Sequence, residues 1–381
     1  MRRSGQRWVT DSLITSLGFD LVFPDAYIGW LEQGMRLQDY KRTMARVRST
    51  EMLGKAWSVT AADLVGRAEG CEAKGHRESA LEFYHRAAFA YGKAFWGNKS
   101  AETHERMREA YAKAVDLVPY TVRRVEIPFG EHTVYGVLHL PDSTEPAPCV
   151  VFVPGMDMVK EEYPNLQENR FVKRGLACLS IDGPGQGETW LHGLHVTPDN
   201  YAEAGSAALD FLATEPAIDD ERIGVFGCSM GSYWAPTIAA RDPRVKACAA
   251  AMGCFLDKHI IFNVAPPAFR KNFMEMSGIH DDAAFDEMAE RMTLARFAAD
   301  IRCPTLLMHG EFDQLCPLSD ARELLTMLDC PKELWVYENE FHPLGRQRGE
   351  MFAAAADWLR DRLTGDTAPD LDAEVWIAEP N

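Results

Sequence analysis

Arg222-Ile223-Gly224-Val225-Phe226-Gly227-Cys228-Ser229-Met230-Gly231 is the stretch that decides how this chain is read. An apolar run leads into the spacing G-x-S-x-G, and helix formers follow from Trp234 to Ala240. Together these make a nucleophile elbow. The backbone turns from strand to helix so sharply that the serine is held in a strained conformation, and side chains beside it would collide with the turn. Glycine at 227 and 231 removes those side chains and leaves the Ser229 hydroxyl above the sheet edge. Cys228 sits one residue before the apex, so its thiol is expected to point away from a pocket.

A serine hydroxyl is a poor nucleophile unless a base takes its proton and an acid orients that base. Where such an elbow belongs to an α/β-hydrolase, the three groups follow the chain order Ser, Asp/Glu, His. Asp313, in His309-Gly310-Glu311-Phe312-Asp313, comes after the apolar run Thr305–Met308 and is expected to be the acid. His342, in Asn339-Glu340-Phe341-His342-Pro343, comes after the run Glu333–Tyr337 and is expected to be the base. Glu311 is the rival acid, placed closer to its strand, and His309 is expected to pack at its strand end. The anionic oxygen formed by attack on a carbonyl needs fixed donors. The N–H of Met230 is one, at the start of the following helix. Met156 N–H, in the loop Pro154-Gly155-Met156-Asp157, is the expected second. Asp157, Tyr163 and Asp257 are weaker candidates for substrate contacts.

Around this site the pattern divides in two. From about Pro24 to Val118 it is helical, with segments Trp30–Arg48, Met52–Cys71, Glu78–Trp96 and Ser100–Val118. In the third, Leu81, Tyr84, Ala88, Tyr91 and Phe95 recur at steps of three and four. Gly75 and Gly97 bracket that helix, Gly97-Asn98 reading as its stop. The last two segments predict a hairpin, but a single pair falls short of the three repeats a tetratricopeptide array needs. After Pro119, Thr121–Pro128 and His132–Leu140 alternate as a β-hairpin about Gly130. Then Cys149–Val153, Ala177–Ile181, Ile223–Phe226, Val245–Met252, Thr305–Met308 and Glu333–Tyr337 alternate with helical stretches, which predicts a mostly parallel sheet covered on both faces. The expected organisation is a helical N-terminal domain (1–120) and an α/β domain (121–364). An insertion at about 255–299, with Phe285, Met288 and Met292 on its apolar face, is expected over the C-terminal sheet edge. An acidic tail (365–381) follows, ordered at Val375–Ile377.

Bulk composition narrows the function. The 381 residues are 46% hydrophobic and 25% charged, ordinary for a globular protein, with a net charge of −17 that argues against nucleic acid as partner. Residues 1–120 hold 18 Lys/Arg against 15 Asp/Glu, whereas the rest hold 22 against 42, which supports two separately composed units. Nine cysteines show no C-x-x-C pair, and most, such as Cys149, Cys178, Cys248 and Cys254, fall in apolar runs as small hydrophobes. His192 and His195 make H-x-x-H without a third ligand, so no metal is expected. No secretory leader is read, since Arg2 and Arg3 run into the polar Trp8–Ser12. No apolar run reaches the roughly 18 residues of a bilayer span. A cytoplasmic, cofactor-independent protein with a small-molecule substrate is the expectation.

Three stretches carry a family resemblance: Pro154–Glu162, Asp182-Gly183-Pro184-Gly185-Gln186-Gly187-Glu188, and the elbow. Together they resemble the group that includes 2,6-dihydroxypseudooxynicotine hydrolase, the Ayg1-type polyketide-shortening hydrolases and the FrsA-like esterases. The glycines of Asp182–Glu188 permit a tight turn after a strand; the other reading, a phosphate loop, lacks a following G-K-[ST]. The resemblance covers the α/β body and the helical region, which in that group helps to form a cap, so it implies an α/β-hydrolase domain (121–364) with a helical N-terminal cap domain (1–120). Phe255–Met276 matches nothing in it, so no substrate contact carries over. The resemblance implies cleavage of a carbon–carbon bond beside a ketone in a small aromatic or polyketide-like substrate, or of an ester. A carboxylesterase or lactonase, an acyltransferase or cyclase on the same three residues, and a ligand-binding protein on a hydrolase scaffold stay open. A homodimer is a further expectation from the resemblance and the apolar helices.

Overall fold

The computed structural model describes residues 7–23, 27–253, 255–365 and 372–379; Pro24, Cys254 and 366–371 of the expected tail lie outside them. The chain divides into two compact units. One holds the residues up to Thr121 together with Asp157–Asn169, the other Val122–Met156 together with the chain from Arg170 onward.

In the helical unit, Leu53–Glu72, Arg77–Asn98 and Ala101–Val115 are the long helices. Ser100 begins the last of them, its hydroxyl accepting the Thr103 N–H at 3.4 Å. Two details differ from the sequence pattern. Gly97 does not end its helix, which runs on to Asn98 with Lys99 left-handed at φ 51°. Its missing side chain instead lets another helix approach, because a Cβ there would lie 3.0 Å from Gly54 N. The expected helix Trp30–Arg48 is broken into Ile28–Leu31 and Leu37–Met44. Gly34 makes the break at φ 96°, pressed so close to His85 that a Cβ would sit 2.5 Å from the ring.

The segment 157–169 belongs with these helices, although its position after a strand assigned it to the sheet. Buried polar contacts account for this. Lys93 Nζ lies 2.6 Å from the Glu162 carboxylate and over the rings of Trp30 and Phe89. The Asn165 side chain donates to the Glu32 carbonyl, and Tyr120 Oη to that of Leu166, both at 3.0 Å. Burial raises the Glu162 pKa to about 7, against the pull of Lys93.

Among the described residues, the second unit is built on nine strands: β1 Thr121–Phe129, β2 His132–Leu140, β3 Ala147–Val153, β4 Ala177–Asp182, β5 Ile218–Cys228, β6 Val245–Ala251, β7 Thr305–Gly310, β8 Lys332–Tyr337 and β9 Asp372–Ile377. Their order is β1-β2-β4-β3-β5-β6-β7-β8-β9. β2 runs antiparallel to β4, and every pair from β4 to β9 is parallel. β9 gives Val375–Ile377 its partner, pairing with β8 along its whole length. All residues of β3, β4 and β7 are buried, as strands covered on both faces require. On one face Val151 and Val153 join Tyr201, Trp234 and Ile238 in the main core. On the other, Phe152 and Phe226 meet Phe352 of the helix Arg348–Thr364, with ring centroids 5.6–6.5 Å apart.

The insertion between β6 and β7 contains the helices Pro267–Ser277 and Asp282–Glu290. Phe262, Phe273 and Phe285 pack together, and Arg270 joins the two helices through Asp282 and Asp286. Asn272 Nδ2 donates to the Met156 carbonyl at 3.3 Å, bringing this insertion to the loop after β3, at the C-terminal edge of the sheet.

Candidate active site

β5 delivers Ser229 to that edge. Ser229 has φ 54°, a left-handed conformation that costs free energy for a residue with a side chain. The turn leaves no room for alternatives. A Cβ at Gly227 would lie 2.0 Å from the Gly231 carbonyl oxygen, and one at Gly231 would lie 2.1 Å from that of Val153. Two hydrogen bonds pin the apex: Ser229 N–H donates to Ala251 O at 2.9 Å, and Ser232 Oγ to Ser229 O at 2.5 Å. Cys228 is fully buried.

Asp313 and His342 leave the ends of β7 and β8, and their loops are laced together. Phe312 N–H donates to Glu340 O at 2.9 Å, and Asn339 N–H to Glu311 Oε2 at 3.0 Å. His342 N–H donates to Gln314 Oε1 at 3.1 Å. Gly310 keeps the loops close, since a Cβ there would fall 2.7 Å from Glu340 O. Glu311, the rival acid, is therefore spent on the backbone of the base loop. Gln314 is a neighbour of this loop that the sequence did not reveal; its contacts run through His342 backbone atoms.

Ser229 Oγ lies 3.0 Å from His342 Nε2, and His342 Nδ1 lies 2.9 Å from Asp313 Oδ2. A carboxylate only accepts, so Nδ1 carries the proton of a neutral ring and Nε2 is left to accept from the serine. The second oxygen, Asp313 Oδ1, takes the N–H groups of Leu315 and Cys316, both at 2.9 Å. Burial opposes the charge on Asp313, but the facing His342 and these hydrogen bonds outweigh it and hold its pKa below the usual value. His309 is buried and its Nε2 donates to Cys316 O at 2.8 Å. Burial lowers its pKa in spite of the nearby Asp313.

The expected oxyanion donors stand in the two loops beside the serine. Met230 caps the helix Gly231–Arg241, and Met156 lies in the turn after β3. Among the described residues, neither N–H is taken by a backbone carbonyl. Asp257 is exposed and accepts the His259 N–H at 2.7 Å, an anchor of its own loop. Asp157 is exposed and Tyr163 is buried, both in the segment that belongs to the helical unit.

A mostly parallel sheet with a serine elbow after β5, an acid after β7 and a histidine after β8 defines an α/β-hydrolase, and the protein is a hydrolase of that superfamily. Residues 54–364 match the family model described as "Esterase FrsA-like", and the chain belongs to this family. It is 31% identical over 323 residues to the 2,6-dihydropseudooxynicotine hydrolase of Paenarthrobacter nicotinovorans, covering 81% of this chain and 83% of that protein. It is 29% identical over 304 residues to esterase FrsA of Escherichia coli O157:H7, covering 76% and 70%. The crystal structure of 2,6-dihydroxy-pseudo-oxynicotine hydrolase superposes with a TM-score of 0.79 at 26% identity, over 91% of this chain and 99% of that one. AbyA5 is similar in fold, with a TM-score of 0.63 at 20% identity over 80% and 88%. Among the described residues no helix is long and apolar enough to cross a membrane.

Proposed function

We propose that this hydrolase works by covalent catalysis at Ser229 and cleaves a carbon–carbon bond next to a ketone in a small aromatic or polyketide-like substrate. The observation that carries the chemistry is the continuous hydrogen-bonded line from Ser229 Oγ through His342 to Asp313, at 3.0 and 2.9 Å. Ser229 attacks the ketone carbon while His342 Nε2 takes the hydroxyl proton. The N–H groups of Met230 and Met156 receive the developing oxyanion. Collapse of the tetrahedral adduct breaks the carbon–carbon bond, leaving an acyl group on Ser229 and a carbanion that takes the proton from His342. Water, activated by the same imidazole, then releases the acid. A carbanion can leave only if a neighbouring carbonyl or electron-rich ring delocalises its charge, so 1,3-diketones and acyl-phenols are the substrate classes the chemistry selects. No step requires a cofactor or metal.

The likeness to a hydrolase with a pseudooxynicotine name, by both sequence and fold, supports the ketone reading. The match to an esterase family model favours a second, carboxylic ester hydrolysis, in which the same residues expel an alkoxide. A panel of acyl-phenols, 1,3-diketones and aryl esters with product masses separates them. Carbon–carbon products are expected; turnover of esters alone, with the ketones intact, gives the site to the second reading. Self-association as a homodimer also belongs to the proposal, supported by apolar side chains exposed on the first helices, among them Trp8, Leu17 and Leu21.

A further inference from the structure

Asp182–Glu188 leaves the end of β4 as a turn held by its own packing, and none of its contacts suits a phosphate. Gly183 makes space for Tyr201, since a Cβ there would lie 2.2 Å from the phenol ring. Gly185 turns at φ 83°. Gly187 sits so close to Asp182 that a Cβ would fall 2.1 Å from its carboxylate, and that carboxylate accepts the Glu188 N–H at 2.9 Å. The side chain that this turn delivers is Gln186, only 2% exposed.

Gln186 reaches across to the loop after β3. Its Nε2 donates to Gly155 O at 2.8 Å and to Pro154 O at 3.2 Å. Its Oε1 accepts from Tyr201 Oη at 2.6 Å and from Gly183 N–H at 3.3 Å. The orientation of the amide is fixed by chemistry, because the two carbonyls can only accept and the Gly183 N–H can only donate. Tyr201 is in turn held against Trp234 of the helix Gly231–Arg241, the rings stacked 4.2 Å apart at 6°. Gly155 C=O and Met156 N–H belong to one planar trans peptide, so they point in opposite directions. A side chain that grips the carbonyl therefore aims the N–H.

From this geometry we infer that Gln186 is a positioning residue for the oxyanion hole: it holds the Gly155 carbonyl and so directs the Met156 N–H toward the tetrahedral oxygen. Asn272 bonds the next carbonyl, that of Met156, at 3.3 Å, so three successive carbonyls of the loop are held by side-chain amides. Tyr201 locks Gln186 and stacks on the helix that begins at the other donor, Met230. The two halves of the hole thus share one brace. This inference rests on the Ser229 reading above, and it concerns transition-state stabilisation rather than substrate binding.

The test compares wild type, Gln186→Met and Tyr201→Phe in hydrolysis of p-nitrophenyl acetate and in inhibition by an aryl trifluoromethyl ketone, which forms a tetrahedral adduct with an active serine. Gln186→Met keeps the volume but loses the donors. It is expected to lower kcat about 10- to 100-fold with KM within about threefold, and to weaken the trifluoromethyl ketone in the same proportion as kcat/KM. Tyr201→Phe removes one hydroxyl and is expected to show the same parallel loss at roughly three- to tenfold. A purely structural role would lower the melting temperature without this parallel. Gln186→Met with wild-type kcat and inhibitor affinity, or with a lower kcat and unchanged inhibitor affinity, overturns the inference. If Gln186→Met does not fold, Tyr201→Phe decides by the same two readouts. A wild type inert to both ester and ketone removes the Ser229 reading itself and this inference with it; an active wild type matched by its variants removes only this inference.

Discussion

In the proposed mechanism Asp313 acts by being fully used. One oxygen holds His342 and the other holds two backbone N–H groups, so the carboxylate cannot turn away from the imidazole. Asp313→Asn preserves this shape but can present an N–H to Nδ1 and so favour the wrong tautomer. A loss of ~10³- to 10⁴-fold in kcat is expected. Glu311→Gln touches only the Asn339 N–H contact and is expected to stay within about tenfold of wild type. Steady-state kinetics of the two variants side by side checks the assignment; the reverse ranking would make Glu311 the acid. The residues proposed for these roles could be picked from the sequence because each follows a strand end in the right chain order. Gln186 and Gln314 were not, because they act on backbone carbonyls and N–H groups, which leave no mark in the partner's side-chain identity.

At the level of elements, the elbow depends on backbone passing backbone. Gly227→Ala would drive a methyl group to 2.0 Å from the Gly231 carbonyl, and neither strand β5 nor the helix after it can yield without losing the position of Ser229. Denaturant unfolding is expected to show a loss of about 3 kcal/mol, with activity falling further than stability accounts for. A variant as stable and active as wild type would mean that the turn is looser than its geometry. Periodicity located the three long helices of the first unit and all the central strands, since these are long runs with a clear period. It failed where a distant element decides the outcome. Gly34 breaks a continuous helical pattern because His85 packs onto it, and Gly97 serves a helix crossing with Gly54 rather than a helix end. The segment 157–169 reads as a sheet loop until Lys93 and Asn165 tie it among the helices.

For the molecule as a whole, stability is tied to pH through a buried histidine. Burial lowers the His85 pKa to about 4, far below its value in an unfolded chain. As pH falls through about 6.5 the unfolded state takes up a proton that the folded state refuses, so stability drops until about pH 4 and then levels off. Urea unfolding between pH 7 and 4 is expected to show wild type losing up to about 3 kcal/mol more than His85→Asn, and parallel curves would contradict the assignment. Light scattering on a sizing column is expected to give twice the monomer mass; a monomer mass would remove the dimer from the proposal. The division near residue 120 was visible in charge and period. The substrate was not, because Phe255–Met276 carries no recognisable motif and the groups that bind a small molecule are set by packing.

The most direct test of the whole account is labelling with a fluorophosphonate, followed by mapping of the modified peptide and measurement of the labelling rate. A single adduct on Ser229 is predicted, absent from Ser229→Ala and formed at least ~10³-fold more slowly in His342→Ala. An adduct on another residue, or a labelling rate unchanged without His342, would contradict it.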